Sequence, residues 1–120
     1  MCIFGVGVDM IEIKKFKKIL LSKAKKDFLK NNFTKKEISS VKNEMGLAAN
    51  FAAKEAVFKA FGTGWTNGKE VEVLRGSKGA PKIKLCGKIK EIAKKKKIKK
   101  VLVSLSYTEC CAVAVAVISS

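Results

Sequence analysis

The chain has no histidine, one arginine (Arg75), one proline (Pro81), and ten acidic side chains against 26 basic ones. Each shortage excludes something. Without histidine, Ser-His-Asp and Cys-His nucleophilic schemes are closed, as are imidazole proton shuttles. Catalysis then falls to carboxylates, lysine, tyrosine, a metal or the substrate itself. The shortage of arginine argues against base reading, because the commonest specific contact is an arginine fork on guanine. The longest apolar stretch, Cys110 to Ile118, is too short to span a bilayer as a helix. Met1 to Met10 lack a basic n-region, and Asp9 interrupts their apolar run, so they do not read as a secretion signal. The expected compartment is the cytoplasm, with no membrane partner. Cys2, Cys86, Cys110 and Cys111 show no CxxC spacing, and a zinc site without histidine would need all four. They read as small apolar filler in a reducing compartment, with Cys110 and Cys111 on opposite faces of a strand.

What is present is a chain of 120 residues, 48% hydrophobic, with a formal net charge of +16. The length predicts one domain over 1–120, and no repeat or linker divides it. The charge calls for an anionic partner, in part, since some of the lysine is solubilising filler. Lysine acts as a point charge, suited to phosphates and acidic surfaces.

Ile3 to Val8 reads as a buried strand ended by Asp9, with Gly5 and Gly7 leaving room for close backbone approach. Ile13, Phe16, Ile19 and Leu20 recur at helical spacing, with Lys14, Lys15, Lys17 and Lys18 opposite. Lys23 to Asn32 reads as the end of that helix or a loop. Thr34 to Glu37 matches a capping box and starts a second helix, with a break over Ser39 to Asn43. Met45 to Phe61, rich in alanine and apolar nearly all round, is the expected buried central helix, stopped by Gly62-Thr63-Gly64. Strands follow at Glu70 to Leu74 and Pro81 to Leu85, with a turn over Gly76 to Gly79. Lys88 to Lys97 reads as a basic helix, and Val101 to Tyr107 with Cys111 to Ile118 as a hairpin around Thr108-Glu109. The order β-α-α-α-β-β-α-β-β predicts an α+β fold, mostly antiparallel sheet packed on a long buried helix.

Two carboxylates attract attention. Glu55 lies in the most apolar helix, with Lys59 one turn on and sharing its face, while Lys54 points elsewhere. One reading is a simple Glu55–Lys59 ion pair on an exposed stripe. The other is a metal-binding carboxylate, since a buried ionised Glu is costly unless paired or bound to a metal. Asp9 reads either as a helix N-cap, because Asp9-x-x-Glu12 resembles a capping box, or as a functional group at a strand end. Mg²⁺ takes one or two carboxylates together with phosphate oxygens, which gives a reason to pair Asp9 with Glu55. The Gly62 to Lys69 segment is not a P-loop. Five residues separate Gly62 from Gly68, Glu70 stands where Ser or Thr belongs, and a helix precedes it.

Together, these segments resemble the small holo-[acyl-carrier-protein] synthase type of the 4′-phosphopantetheinyl transferase superfamily. Gly5-Val6-Gly7-Val8-Asp9 resembles its opening G-x-G-x-D. The run from Phe51 to Gly64, FAAKEAVFKAFGTG, is similar to its signature F-A-A-K-E-A-x-x-K-A-x-G-T-G. Glu72-Val73-Leu74 with Gly79-Ala80-Pro81 resembles its E-V and G-K-P hairpin, and Val103 to Thr108 its V-S-I-S-H-T. The resemblance covers nearly the whole chain and implies the 4′-phosphopantetheinyl transferase fold. It implies a Mg²⁺-dependent transfer of 4′-phosphopantetheine from coenzyme A to a serine of apo acyl carrier protein in fatty acid biosynthesis. Adenosine 3′,5′-bisphosphate is the product released. Asp9 and Glu55 correspond to metal ligands, and Lys59 to the group on the pyrophosphate and leaving group. Lys59, Gly62, Thr63, Gly64, Pro81, Ser104, Tyr107 and Thr108 correspond to coenzyme A contacts and Lys15 to a carrier contact, with Lys18 on the same basic helix as a second carrier-binding candidate. The general base is Glu55 or a metal-bound water, with Glu37 a weaker candidate. A homotrimer with coenzyme A between subunits is also implied. Three positions depart from the pattern: Tyr107 replaces a His near the 3′-phosphate, Asn50 an Arg, and Ala80 a Lys. All three changes remove potential cations, a loss for which Lys42 or another nearby lysine would compensate. The alternative, a small nucleic-acid-binding protein, explains the charge but not the signature. No nucleic-acid partner is expected.

Overall fold

The computed structural model describes residues 2–76 and 80–120. The elements are β1 (Ile3–Glu12), α1 (Ile13–Leu20), α2 (Lys25–Asn32), α3 (Lys35–Ser40), α4 (Glu44–Phe61), β2 (Val71–Arg75), β3 (Pro81–Leu85), α5 (Gly87–Lys95), β4 (Lys100–Tyr107) and β5 (Cys111–Ser119). A single 3-10 turn, Gly68–Glu70, precedes β2. The strands form an antiparallel three-stranded sheet, β1-β5-β4, and a separate β2-β3 ribbon. This is the expected α+β arrangement, with the long helix α4 against the larger sheet.

The packing is close because small residues face each other. Ala52, Ala53 and Ala56 of α4 and Ala112, Ala114 and Ala116 of β5 are all 0% exposed. A Cβ at Gly5 would collide with the carbonyl of Ala60, and one at Gly7 with the carbonyl of Ala56. Both strand glycines therefore let β1 lie backbone-on-backbone against the helix. Larger side chains fill the flanks. Val57, Phe58, Val71, Val73 and Ile89 complete one cluster, and Ile13, Phe16, Phe33 and Leu47 another. Each such burial contributes about 1.5–3 kcal/mol.

Several local expectations change. β1 does not end at Asp9 but pairs with β5 through Glu12, with Asp9 opposite Ala114. Asp9 is therefore not an N-cap. That position belongs to Glu12, whose side chain makes no capping bond. Lys25–Asn32 is a helix of its own, separate from α1. Ser22 divides the two: its hydroxyl donates to the carbonyl of Ile19 at 2.7 Å and accepts from the N–H of Ala24 at 3.2 Å. Such local bonds compete with helix propagation. Ile19 was expected in the core and is 37% exposed, whereas Ile13, Phe16 and Leu20 are buried. Three of the cysteines are not filler: Cys2, Cys86 and Cys110 are exposed, and Cys110 lies in the turn before β5, while Cys111 is half-buried at its start. The turn expected over Gly76 to Gly79 falls largely on 77–79, outside the described residues.

Other signals hold. Thr34 and Glu37 form the reciprocal capping box. Asn43 caps α4 by accepting from the N–H of Gly46 at 2.9 Å. Gly62 ends the helix in the left-handed region at φ 72°, which favours glycine.

Candidate functional site

Strand alternation decides where Asp9 points. Gly5 and Gly7 face α4, so Asp9, two residues further, faces it too. Lys59 reaches across from the helix. Its Nζ lies 3.0 Å from Asp9 Oδ1 and donates to the carbonyl of Val8 at 3.1 Å. The Glu55–Lys59 pair read from spacing is therefore not the bond that forms, because the ammonium goes to β1. Glu55 is half-buried beside this pair. Burial raises its carboxyl above the ordinary glutamate value, and the negative charge of Asp9 raises it further, while Lys59 works against both. Two carboxylates that repel across a partly desolvated corner are the donor set that a hard cation relieves. The residues thus fit Mg²⁺, which needs only one or two carboxylates beside phosphate oxygens and water. Among the described residues no group of three or more His, Cys, Asp or Glu gathers for a metal.

The other expected residues fall in separate places. Gly62, Thr63 and Gly64 follow the C-terminal end of α4, with the Thr63 hydroxyl donating to the carbonyl of Gly64 at 3.1 Å. Tyr107 ends β4 and lines a cleft of 430 Å³ with Ser40, Lys42, Asn43, Gly46 and Arg75, at the N-terminal end of α4. The two ends of this 18-residue helix are about 27 Å apart. Ser104 is exposed opposite Val115 on the sheet face turned away from α4. Pro81 starts β3 opposite Arg75. Thr108 shapes the β4–β5 turn, its Oγ1 accepting from the N–H groups of Cys110 and Cys111 at 3.1 and 3.3 Å. Lys15 and Lys18 are exposed on α1, and Lys15 lies 3.7 Å from Glu12.

Glu37 does not qualify as a base. It is 0% exposed, and its carboxylate accepts from Lys54 Nζ at 2.7 Å, the N–H of Thr34 at 3.0 Å and the N–H of Val73 at 3.1 Å. Lys54, equally buried, also donates to the carbonyls of Gly68 at 2.7 Å and Val71 at 2.6 Å. Burial pushes its ammonium below the ordinary lysine range, and Glu37 opposes that shift. This pair fastens α3, α4 and β2 together. Sequence spacing, which sent Lys54 away from Glu55, gave no hint of it. Asn50, legible in the sequence only as a departure from the family's Arg, is 0% exposed, and its Oδ1 accepts from Arg75 Nε and Nη2 at 3.2 and 3.0 Å, a bond the sequence did not show.

The sheet face away from α4 is apolar and bare. Val6, Val8 and Met10 of β1 are 62%, 56% and 69% exposed, and Leu102 and Val115 continue the patch across β4 and β5.

A model of the 4′-phosphopantetheinyl transferase superfamily matches residues 5–114. The holo-[acyl-carrier-protein] synthase of Caldicellulosiruptor saccharolyticus is 40% identical over 120 residues, covering 96% of this chain and 95% of that protein. The fold is similar to that of the Helicobacter pylori holo-[acyl-carrier-protein] synthase crystallised with coenzyme A, with a TM-score of 0.85, 28% identity, and 95% and 99% of the two chains covered. It is also similar to the Neisseria meningitidis enzyme, with a TM-score of 0.89, 25% identity, and 99% and 100% covered. The chain belongs to the 4′-phosphopantetheinyl transferase superfamily, within its holo-[acyl-carrier-protein] synthase family.

Proposed function

We propose that this chain, as a single domain over 1–120, transfers 4′-phosphopantetheine from coenzyme A to a serine of apo acyl carrier protein, serving fatty acid biosynthesis in the cytoplasm. The observation that carries the reading is the meeting of Asp9, Glu55 and Lys59 where β1 crosses α4. In the reaction, the serine oxygen bonds to the β-phosphorus of coenzyme A. The bridging P–O bond breaks, and adenosine 3′,5′-bisphosphate leaves with that oxygen. Asp9 and Glu55 would hold Mg²⁺, which when bound neutralises the pyrophosphate charge. Lys59, already anchored by Asp9, offers its ammonium to a pyrophosphate oxygen and to the charge that grows on the leaving group. Glu55 or a metal-bound water would take the serine proton. Gly62, Thr63, Gly64, Pro81, Ser104, Tyr107 and Thr108 complete the proposed coenzyme A contacts, and Lys15 and Lys18 meet the acidic carrier.

These coenzyme A contacts lie at both ends of α4 and on the bare sheet face, too far apart for one ligand on one copy. A homotrimer supports all of them at once. It would cover Val6, Val8 and Met10, which are exposed on the single chain, and would bring the Tyr107 end of one copy to the Asp9 end of the next. Among the described residues no helix is long and apolar enough to cross a membrane. The test is incubation with coenzyme A, Mg²⁺ and an apo carrier protein, read by mass spectrometry. A carrier heavier by one phosphopantetheine is expected, and an unmodified carrier overturns the reading.

A further inference from the structure

We propose that Arg75, held by buried Asn50, recognises the 3′-phosphate of the nucleotide and so separates coenzyme A from its 3′-dephospho form. The inference rests on the coenzyme A reading above and adds a residue to it. Arg75 is the only arginine in the chain. It sits at the end of β2 and lines the 430 Å³ cleft with Lys42 and Tyr107. Its Nε and Nη2 both donate to Asn50 Oδ1, at 3.2 and 3.0 Å. One edge of the guanidinium is thereby fixed, and among the described residues Nη1 makes no hydrogen bond, which leaves the Nη1–Nη2 edge for a ligand. Asn50 is fully buried, and among the described residues its Nδ2 has no hydrogen-bond partner. A buried amide with one arm unmet is costly. Both hydrogen bonds to its oxygen come from Arg75, so this amide serves to orient the arginine.

The cleft matches a phosphate monoester. Among the described residues that line it, none is acidic, and Lys42 and Arg75 supply two positive charges. A phosphomonoester carries about −1.5 to −2 near neutral pH. A held guanidinium edge binds two of its oxygens in parallel, geometry that lysine lacks. Tyr107 adds a neutral hydroxyl donor. The pyrophosphate, in contrast, belongs with Asp9, Glu55 and Lys59, further along α4.

The test is calorimetry of adenosine 3′,5′-bisphosphate against 5′-AMP, with coenzyme A and 3′-dephospho-coenzyme A compared as substrates. The parent should prefer the 3′-phosphorylated member of each pair. Arg75→Gln should lower that preference by about 10–100-fold, the range expected for a lost hydrogen-bonded charge, and leave 5′-AMP affinity unmoved. Arg75→Lys, which keeps the charge but not the fork, should lose part of the preference. Asn50→Ala should do the same with Arg75 intact. An unchanged preference in both Arg75 variants overturns the proposal, as does equal weakening of both nucleotides. If the parent modifies the carrier while Arg75→Gln discriminates normally, only this inference fails. A parent that binds neither nucleotide overturns the coenzyme A reading as well.

Discussion

Lys59 Nζ lies 3.0 Å from Asp9 Oδ1, a bond between residues fifty positions apart. It ties the C-terminal half of α4 to the middle of β1, with Glu55 at its side. Lys59→Met should leave the fold intact, since its side chain is 52% exposed. Loss of one positioned charge on a developing anion typically lowers kcat by about 10²–10³-fold. Single-turnover kinetics with saturating coenzyme A and carrier provide the measurement, and a near-parental rate removes Lys59 from the site.

Asp9→Asn and Glu55→Gln should each abolish most activity while keeping the circular dichroism of the parent, because each removes a hard anionic ligand. Titrating Mg²⁺ separates this from a general loss. Both variants should need far more Mg²⁺ for half-maximal rate, and either one turning over normally in limiting Mg²⁺ excludes that residue.

The raised carboxyl of Glu55 gives a pH dependence of fixed sign. Because the folded state holds this proton more tightly than the unfolded chain, the group favours folding at low pH. That contribution is lost as pH rises from the ordinary glutamate value, about 4.3, through the raised one. Mg²⁺ competes with the same proton. The increase in Tm on adding Mg²⁺ should therefore grow with pH across that window in the parent and flatten in Glu55→Gln. A parent Mg²⁺ effect independent of pH would mean that Glu55 does not hold the metal.

The Lys54–Glu37 pair is a matter of stability. Lys54→Ala leaves Glu37 and two carbonyls without their donor inside the protein. Breaking a buried pair on one side costs about 3–5 kcal/mol. Urea unfolding should register it, and a loss under 1 kcal/mol would show water reaching the cavity.

On α1, replacing Lys15 and Lys18 by Glu should raise the KM for carrier protein and spare that for coenzyme A. Single exposed charge pairs contribute little, about 0–1 kcal/mol, but several together speed encounter. Salt screens over a Debye length of ~8–10 Å, so rising ionic strength should slow the parent more than the variant. An unchanged carrier KM at low salt moves the docking site elsewhere, for example to Lys94–Lys97.

The bare sheet face predicts its own disruption. Val8→Lys and Val115→Lys place charges where Val8 and Val115 stand opposite each other, 56% and 39% exposed. Sedimentation should report a trimer for the parent and smaller species for the variants. A parent monomer overturns the trimer.

The sequence by itself determined the elements whose signals are local. The Thr34–Glu37 capping box, the alanine-rich α4, its Gly62 stop and the alternating β4–β5 hairpin depend on neighbours a few residues apart. It also determined the family, because the run from Phe51 to Gly64 is specific in order and spacing. Asp9, Glu55 and Lys59 were legible as separate residues. Their meeting was not, and only the packing of β1 on α4 through Gly5 and Gly7 brought them together. The tertiary structure alone decided that Lys59 bonds Asp9 rather than Glu55, that Lys54 and Glu37 are sealed together, and that Asn50 grips Arg75. Each of these depends on how far the chain returns in space, and a hydrogen bond at 3 Å leaves no trace in spacing along the sequence.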